Sequence, residues 1–109
     1  MTKVIIDPGV CGFVATVTAV ADEDELSEVT VHVNCECKAV QDMMESLGTQ
    51  FDAYAVCLVK PGKGPFFDYA SENFPVHAAC PILAGLSKCI EAECGLALKK
   101  NVSIAFVDD

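Results

Sequence analysis

The chain has 109 residues, of which 52% are hydrophobic, and its 16 acidic and 7 basic side chains give it a net charge of −9. This length and apolar content predict a single globular domain over residues 1–109 and exclude an intrinsically disordered chain. The negative charge repels phosphate groups, so we expect no nucleic-acid or membrane partner, whereas a protein partner or a homo-oligomer is compatible with it.

The N-terminal residues predict a cytoplasmic protein. The apolar run Val4-Ile5-Ile6 stops at Asp7 and Pro8, which is too short for a signal peptide. No apolar run approaches the roughly 20 residues that cross a bilayer. In the cytoplasm the seven cysteines stay reduced, and their odd number disfavours a full disulfide framework.

The first third of the chain predicts strands. Residues 4–6 form a short apolar run before the turn at residues 7–9, and residues 12–21 are rich in β-branched side chains. Residues 29–34 alternate, with valines on one face and a polar face where His32 is solvated. The acidic connection at residues 22–25 joins the last two runs into a hairpin.

The rest of the chain predicts helices and one more strand. A helix over residues 37–47 places apolar side chains on one stripe and ends at Gly48: Val40, Met43, Met44 and Leu47. Residues 51–59 predict a short helix, with a strand as the alternative, and residues 66–74 predict another helix. The clearest helix begins at Cys80, because Pro81 suits a first helical position.

Residues 102–107 read as a final strand. The order of elements then predicts an α+β fold, with a small and mainly antiparallel sheet made of the N-terminal hairpin and this C-terminal strand. Helices are expected to pack on one face of the sheet.

The hairpin brings three cysteines together. With the turn centred near Asp24, the numbers of paired residues sum to about 48, give or take two. Cys11 then faces Cys35 and Cys37 at the open end of the hairpin, where opposed Cβ atoms lie about 5 Å apart. The hairpin therefore predicts a shared site for these thiols.

Cys80 is the fourth candidate thiol. At the helix start its thiolate would accept backbone N–H groups and interact with the helix dipole, which favours the charged form. His77 stands three residues earlier, a spacing that lets both side chains reach one ion. The alternative is a capping cysteine beside a surface histidine.

These residues predict a metal site in which Cys11, Cys35, Cys80 and His77 are the first-choice ligands and Cys37 is the reserve. Sulfur and imidazole ligands suit tetrahedral Zn²⁺, and an iron–sulfur cluster is the alternative cofactor. The competing interpretation treats Cys11 as a turn residue and one of the Cys35/Cys37 pair as core. The other cysteines are expected in the core: Cys57, Cys89 and Cys94.

An enzymatic alternative uses the same residues, and the sequence leaves open whether the protein is an enzyme. Cys80 would be a readily ionised nucleophile or redox thiol, His77 its base, and Cys11 or Cys35 the resolving thiol. A third interpretation is an interaction module without a site.

Two segments and the cysteine at the end of the hairpin resemble a family of short, uncharacterised bacterial and archaeal proteins. The segments are residues 7–13 (Asp-Pro-Gly-Val-Cys-Gly-Phe) and residues 77–81 (His-Ala-Ala-Cys-Pro). The similarity covers nearly the whole chain and implies no established activity. The layout also weakly resembles TSCPD domains and the C-terminal scaffold domain of NifU-type iron–sulfur proteins, although the pair here is Cys35-x-Cys37 rather than Cys-x-x-Cys.

Overall fold

The computed structural model describes residues 1–108, which form one sheet and four helices. The strands are β1 (Thr2–Ile6), β2 (Ala15–Ala21), β3 (Glu28–Asn34) and β4 (Gln50–Asp52). The helices are α1 (Lys38–Leu47), α2 (Ala53–Cys57), α3 (Pro65–Asn73) and α4 (Pro81–Glu93). The predicted α+β class is confirmed.

The sheet is antiparallel throughout, in the order β1-β2-β3-β4. Strands β2 and β3 form the predicted hairpin. Val17 pairs with Val33, so the numbers of paired residues sum to 50, within the expected window. In the connecting turn, the Asp22 carboxylate accepts a hydrogen bond from the N–H of Asp24 at 2.8 Å, which explains the acidic residues there.

The predicted C-terminal strand is wrong. Within the described chain, residues 102–107 form no strand, and the fourth strand comes instead from the start of the 51–59 segment. That segment is divided, because the Asp52 carboxylate accepts a hydrogen bond from the N–H of Tyr54 at 2.9 Å and so begins α2. Alternating side chains specify the faces of a strand but not the strand it pairs with.

The core lies between one face of the sheet and the helices. Val17 and Val31 are buried on this face, and Leu86 and Ile90 of α4 pack in the same core. The opposite face is largely polar, apart from Ile5 and Val20, and includes the exposed His32, as predicted. The apolar stripe of α1 faces the core: Val40 and Met43 are buried, and Met44 and Leu47 are half-buried. Across residues 1–108, no helix is both long enough and apolar enough to cross a membrane.

Glu93, at the end of α4, attaches that helix to two strands. Its carboxylate accepts hydrogen bonds from the Thr2 hydroxyl at 2.7 Å and from the N–H of Ala21 at 2.9 Å, and it lies 3.5 Å from the amino group of Met1. Burial alone would raise the pKa of the Glu93 carboxyl. These three partners outweigh burial and lower that pKa below its ordinary value of 4.5.

We expect Glu93→Gln to reduce the free energy of unfolding by about 1–3 kcal/mol at pH 7, the usual contribution of hydrogen bonds to a charged group. Because the folded-state pKa is lowered, the stabilisation is complete above the unfolded pKa and disappears as pH falls through the folded one. Urea unfolding between pH 3 and 8 measures this. Glu91→Gln is the control, since Glu91 only pairs with the exposed Lys88, and it should change stability by less than about 0.5 kcal/mol. A Glu93→Gln effect independent of pH would contradict the assignment.

Gly85 lets α4 lie close against β1. A Cβ atom at this position would stand 2.6 Å from Cγ1 of Ile6, much closer than carbon atoms approach each other. The absence of a side chain at Gly85 therefore allows the backbone of α4 to contact the Ile6 side chain of β1. This contact and the Glu93 hydrogen bonds place α4 lengthwise along β1, with its last turn at the Thr2 end.

We expect Gly85→Ala to reduce the free energy of unfolding by about 1–2 kcal/mol, because overpacking outweighs the gain of about 1 kcal/mol that alanine brings to a helix. In an Ile6→Ala background the space is open, so the same substitution should be neutral or stabilising. Urea unfolding of the four proteins in this double-mutant cycle measures the coupling. An equal loss in both backgrounds would show that Ile6 does not set the helix position.

Candidate cysteine site

Four cysteines lie at one end of the sheet, where β1 and β3 end, β2 begins, and α1 and α4 begin. Cys11 stands in the β1–β2 connection, Cys35 and Cys37 follow β3, and Cys80 precedes α4. We call Cys11, Cys35, Cys37 and Cys80 the cysteine cluster. It forms because α4 runs with its last turn at the Thr2 end of β1, which leaves its first turn at the opposite end of the sheet.

Cys35 is the buried member of the cysteine cluster, with 6% of its surface exposed. Its Sγ donates a hydrogen bond to the carbonyl of Phe13 at 3.4 Å, across the hairpin. The side chain of Gln41 in α1 donates to the carbonyl of Cys35 at 2.8 Å, which fixes the junction between β3 and α1. Cys35 therefore also packs in the core, as one of the sequence-based interpretations expected.

The ionisation of Cys35 shows which thiols are its neighbours. Burial raises the pKa of the Cys35 thiol, and the backbone N–H of Cys37 opposes this effect by hydrogen bonding. Negative charge on Cys37, Cys11 and Cys80 raises the same pKa further. All three thiols therefore lie in the neighbourhood of Cys35.

Cys37 and Cys80 occupy equivalent positions, as the N-cap residues of α1 and α4. Both have extended backbones, with φ and ψ of −66° and 119° for Cys37 and −60° and 114° for Cys80. Both are partly exposed, and within the described chain neither side chain makes a capping hydrogen bond. Two partly accessible sulfurs thus stand beside N–H groups that favour negative charge.

Cys11 lies in an exposed turn between two glycines. Gly9 and Gly12 have φ values of 86° and 74°, in the left-handed region that residues with a Cβ atom rarely adopt, and the N–H of Gly12 donates to the carbonyl of Gly9 at 3.0 Å. The glycines allow the chain to turn sharply here and present the thiol to solvent. This is the geometry of a turn cysteine, and it leaves Cys11 accessible to an ion.

His77 is exposed and reaches Cys80 only through the backbone, since its carbonyl accepts a hydrogen bond from the N–H of Cys80 at 3.2 Å. Among residues 1–108, no three cysteine, histidine or carboxylate side chains stand close enough to hold a metal ion. The structure therefore brings the four thiols into one neighbourhood without closing them around a point. Its donors suit Zn²⁺ by their chemistry, and their spacing would have to contract.

A shallow cleft of about 310 Å³ opens beside the cysteine cluster. Residues 12–14 form one wall, and residues 34–36, including Cys35, form the other. Phe13 and Val14 are exposed at this position. The walls lie mainly in the segments just before β2 and just after β3, and the register of the hairpin brings these segments together.

The other three cysteines lie away from the cluster and pack against the core, as predicted. Cys89 is fully buried, and its thiol donates to the carbonyl of Thr2 at 3.4 Å. Burial raises the pKa of Cys89 to about 11 and that of Cys57 to about 12. Burial also raises the pKa of Cys94. Thiols with such pKa values stay protonated and unreactive near neutral pH.

Comparison with known proteins identifies a family. The model of a family of unknown function, DUF6951, matches residues 2–106. The chain belongs to this family. The match extends from β1 almost to the end of the described chain, so the cysteine cluster and residues 102–106 are parts of the family domain. Searches of curated proteins and of solved structures returned no match.

We expect the seven thiols of the reduced, metal-free protein to react with iodoacetamide in an order set by exposure and pKa. At pH 8, Cys11 should be modified first, and Cys35, Cys57 and Cys89 should react at least about tenfold more slowly, because burial raises their pKa values. Mass spectrometry of peptides over time measures each rate. Unfolded protein in urea is the control, in which the rates should converge. Equal rates for Cys11 and Cys89 in the folded protein would contradict the packing.

Proposed function

We propose that this protein binds a metal ion through the cysteine cluster, with zinc as the first choice. The observation that supports the proposal is that Cys11, Cys37 and Cys80, from three different connections, all lie near enough to Cys35 to affect its ionisation. Four sulfur ligands form a common structural zinc site. His77 is the alternative fourth ligand, as the sequence spacing suggests.

The charges around the cluster favour a cation. Burial and the neighbouring thiols hold Cys35 protonated, and a bound metal ion would reverse this by replacing its proton. The net charge of −9 also raises the local concentration of cations.

Closure of the site would mainly require Cys11 to move. Cys35 is held in the core and Cys37 and Cys80 are held at helix starts, whereas Cys11 stands on an exposed turn. Metal binding would therefore order the β1–β2 connection against the ends of β3 and α4. In this proposal the site is structural, because the cysteine set alone can fill four positions around zinc.

An iron–sulfur cluster is the second cofactor compatible with these ligands. Cysteines at the starts of helices and the weak resemblance to TSCPD and NifU-type scaffold domains support it. The colour and iron content of the purified protein separate it from zinc.

The enzymatic alternative uses Cys80 as a nucleophile or redox thiol. Its support is the partly exposed position of Cys80 at the first turn of α4, three residues after His77. The exposed Cys11 would be the resolving thiol. A reactive Cys80 is modified at once by alkylating agents, whereas a metal ligand is protected until a chelator is added.

Metal analysis of anaerobically purified protein by mass spectrometry, together with an absorption spectrum, tests the proposal. We expect about one zinc ion per chain and no visible absorption. Affinity, measured by competition with a chromogenic chelator, should rise from pH 6.5 to pH 8, because the raised pKa of Cys35 makes protons compete with the metal. Iron in the protein together with a brown colour would instead indicate an iron–sulfur cluster. No metal after purification and after anaerobic titration would exclude both cofactors.

Matched serine variants locate the ligands. Cys11→Ser, Cys35→Ser and Cys80→Ser should each weaken zinc binding more than tenfold, whereas Cys94→Ser, outside the cysteine cluster, should not. Comparison of Cys37→Ser with His77→Ala identifies the fourth ligand, since only the variant that removes a ligand loses affinity. Equal affinity in the wild type and in all six variants would place the metal elsewhere.

A further inference from the structure

The segment of residues 102–107, which we call the tail, has the side-chain pattern of a strand but no strand to pair with. Val102, Ile104 and Phe106 alternate with Ser103 and Ala105, and they are 66%, 93% and 103% exposed. Apolar side chains in an alternating row are typical of a strand with one buried face. Such a row is seldom left open to water in a monomer. The family match reaches residue 106, so the tail belongs to the domain.

Strand β1 has one free edge. In an antiparallel sheet, successive residues direct their N–H and C=O groups alternately to either side. The N–H of Val31 donates to the carbonyl of Thr49, so odd-numbered residues of β3 point to β4 and even-numbered ones point to β2. By the register of the sheet, the odd-numbered residues of β2 then point to β1, where they meet Thr2, Val4 and Ile6. The N–H and C=O groups of Lys3 and Ile5 therefore point to the outer edge. The N–H of Ala21, on the β1 side beyond the end of that strand, bonds to Glu93 in agreement with this alternation.

We propose that the tail of one copy of this chain pairs antiparallel with the free edge of β1 in a second copy. The exchange is reciprocal, so that each copy gives a tail and receives one, and the assembly closes as a twofold-symmetric dimer. Each sheet then has five strands. The N–H and C=O groups of Lys3 and Ile5 gain partners by strand addition.

The charges at the ends of both segments favour the antiparallel direction. In this direction, Asp108 beyond the tail comes to the end of β1 that carries Lys3 and the N-terminal amine, while Lys99 and Lys100 approach Asp7. The parallel direction would place the two lysines beside Lys3. Opposite charges therefore meet only in the antiparallel arrangement.

The side chains agree with this direction. When Ile104 stands opposite Val4, Val102 stands opposite Ile6 and Phe106 opposite Thr2, all on the face of β1 that points to the helices. Val4 and Ile6 are only partly buried there, next to α4. The apolar side chains of the tail would cover them, and the small residues of the tail would lie on the polar face.

A second copy fits better than the chain's own edge. The helix α4 ends beside Thr2, and the N–H groups of Leu96 and Ala97 remain bonded to the carbonyl of Glu91 at 2.8 and 3.2 Å. To pair antiparallel with β1 of the same chain, the tail would have to begin at the Ile6 end of β1. The distance from Thr2 to Ile6 along the strand is about 14 Å, so the chain would have to cover this distance after α4. Residues 98–101 span at most about 14 Å when fully extended. The hydrogen bond from the N–H of Lys100 to the carbonyl of Leu98, at 3.0 Å, makes them shorter than that. The edge of a second copy imposes no such span.

Sedimentation velocity of the full chain between 5 and 100 μM tests the proposal. We expect a dimer, with twice the chain mass of 11.6 kDa. Ile104→Lys should weaken the dimer more than tenfold, and Ser103→Lys, on the other face of the tail, should not. Ile5→Pro removes the outward N–H and should also weaken the dimer, whereas Ile5→Thr retains that N–H and should not.

Hydrogen–deuterium exchange keeps the test decisive if a variant folds poorly. In the unaltered chain, amides in the tail and at Lys3 and Ile5 should be protected wherever sedimentation shows a dimer. A monomer at 100 μM, or protection of these amides in a protein that sediments as a monomer, would overturn the proposal, the second result by showing pairing within one chain. A dimer that survives both Ile104→Lys and Ile5→Pro would also overturn it. Prior addition of a chelator leaves these outcomes unchanged, because the tail and the cysteine cluster do not share residues.

Discussion

The position of α4 along β1 is the constraint on which the rest of this structure depends. At one end, the Glu93 carboxylate joins the helix to Thr2 and Ala21, and in the middle Gly85 brings the helix backbone against Ile6. These contacts set both the direction and the closeness of the packing. A helix fixed at its last turn and in its middle cannot vary at its first turn, so the place of Cys80 follows from residues that contain no sulfur.

The cysteine cluster is a consequence of this arrangement and of the hairpin. The hairpin register brings Cys35 opposite the Phe13 region, and the β1–β2 connection adds Cys11. The helices α1 and α4 start at the same end of the sheet, each from a cysteine N-cap. Cys35 is buried in the core and Cys11 is exposed on a turn, so the cluster has one packed side and one side open to solvent.

The two ends of the chain pose a separate question of sheet edges. Strand β1 is an outer strand of the sheet, and the tail is an apolar strand-like segment with exposed side chains. Natural proteins cover or charge their edges to prevent unwanted pairing. Here the charges before and after the tail are opposite to those at the facing ends of β1, which favours one specific pairing over general aggregation. The cysteine cluster lies at the Ile6 end of β1, so an added strand would begin close to it.

Local pattern was sufficient to predict the hairpin, the stripe on α1 and the start of α4, because periodicity and capping residues act over a few neighbours. It also predicted that Cys57, Cys89 and Cys94 pack in the core and that Cys11, Cys35 and Cys37 approach each other. Local pattern could not predict which segments pair across the sheet. Residues 102–107 and residues 50–52 both suit a strand, and within the described chain it is residues 50–52 that pair with β3.

The sequence by itself therefore determined the fold class, the hairpin and the set of candidate thiols, since these follow from local periodicity and from turn chemistry. Only the tertiary structure decided that Cys80 lies near the hairpin cysteines, that the side chain of His77 is exposed to solvent, and that the tail has no strand to pair with. These outcomes depend on long-range packing, because the approach of Gly85 to Ile6 and the bonds of Glu93 join residues that are about 70 to 90 positions apart in the chain.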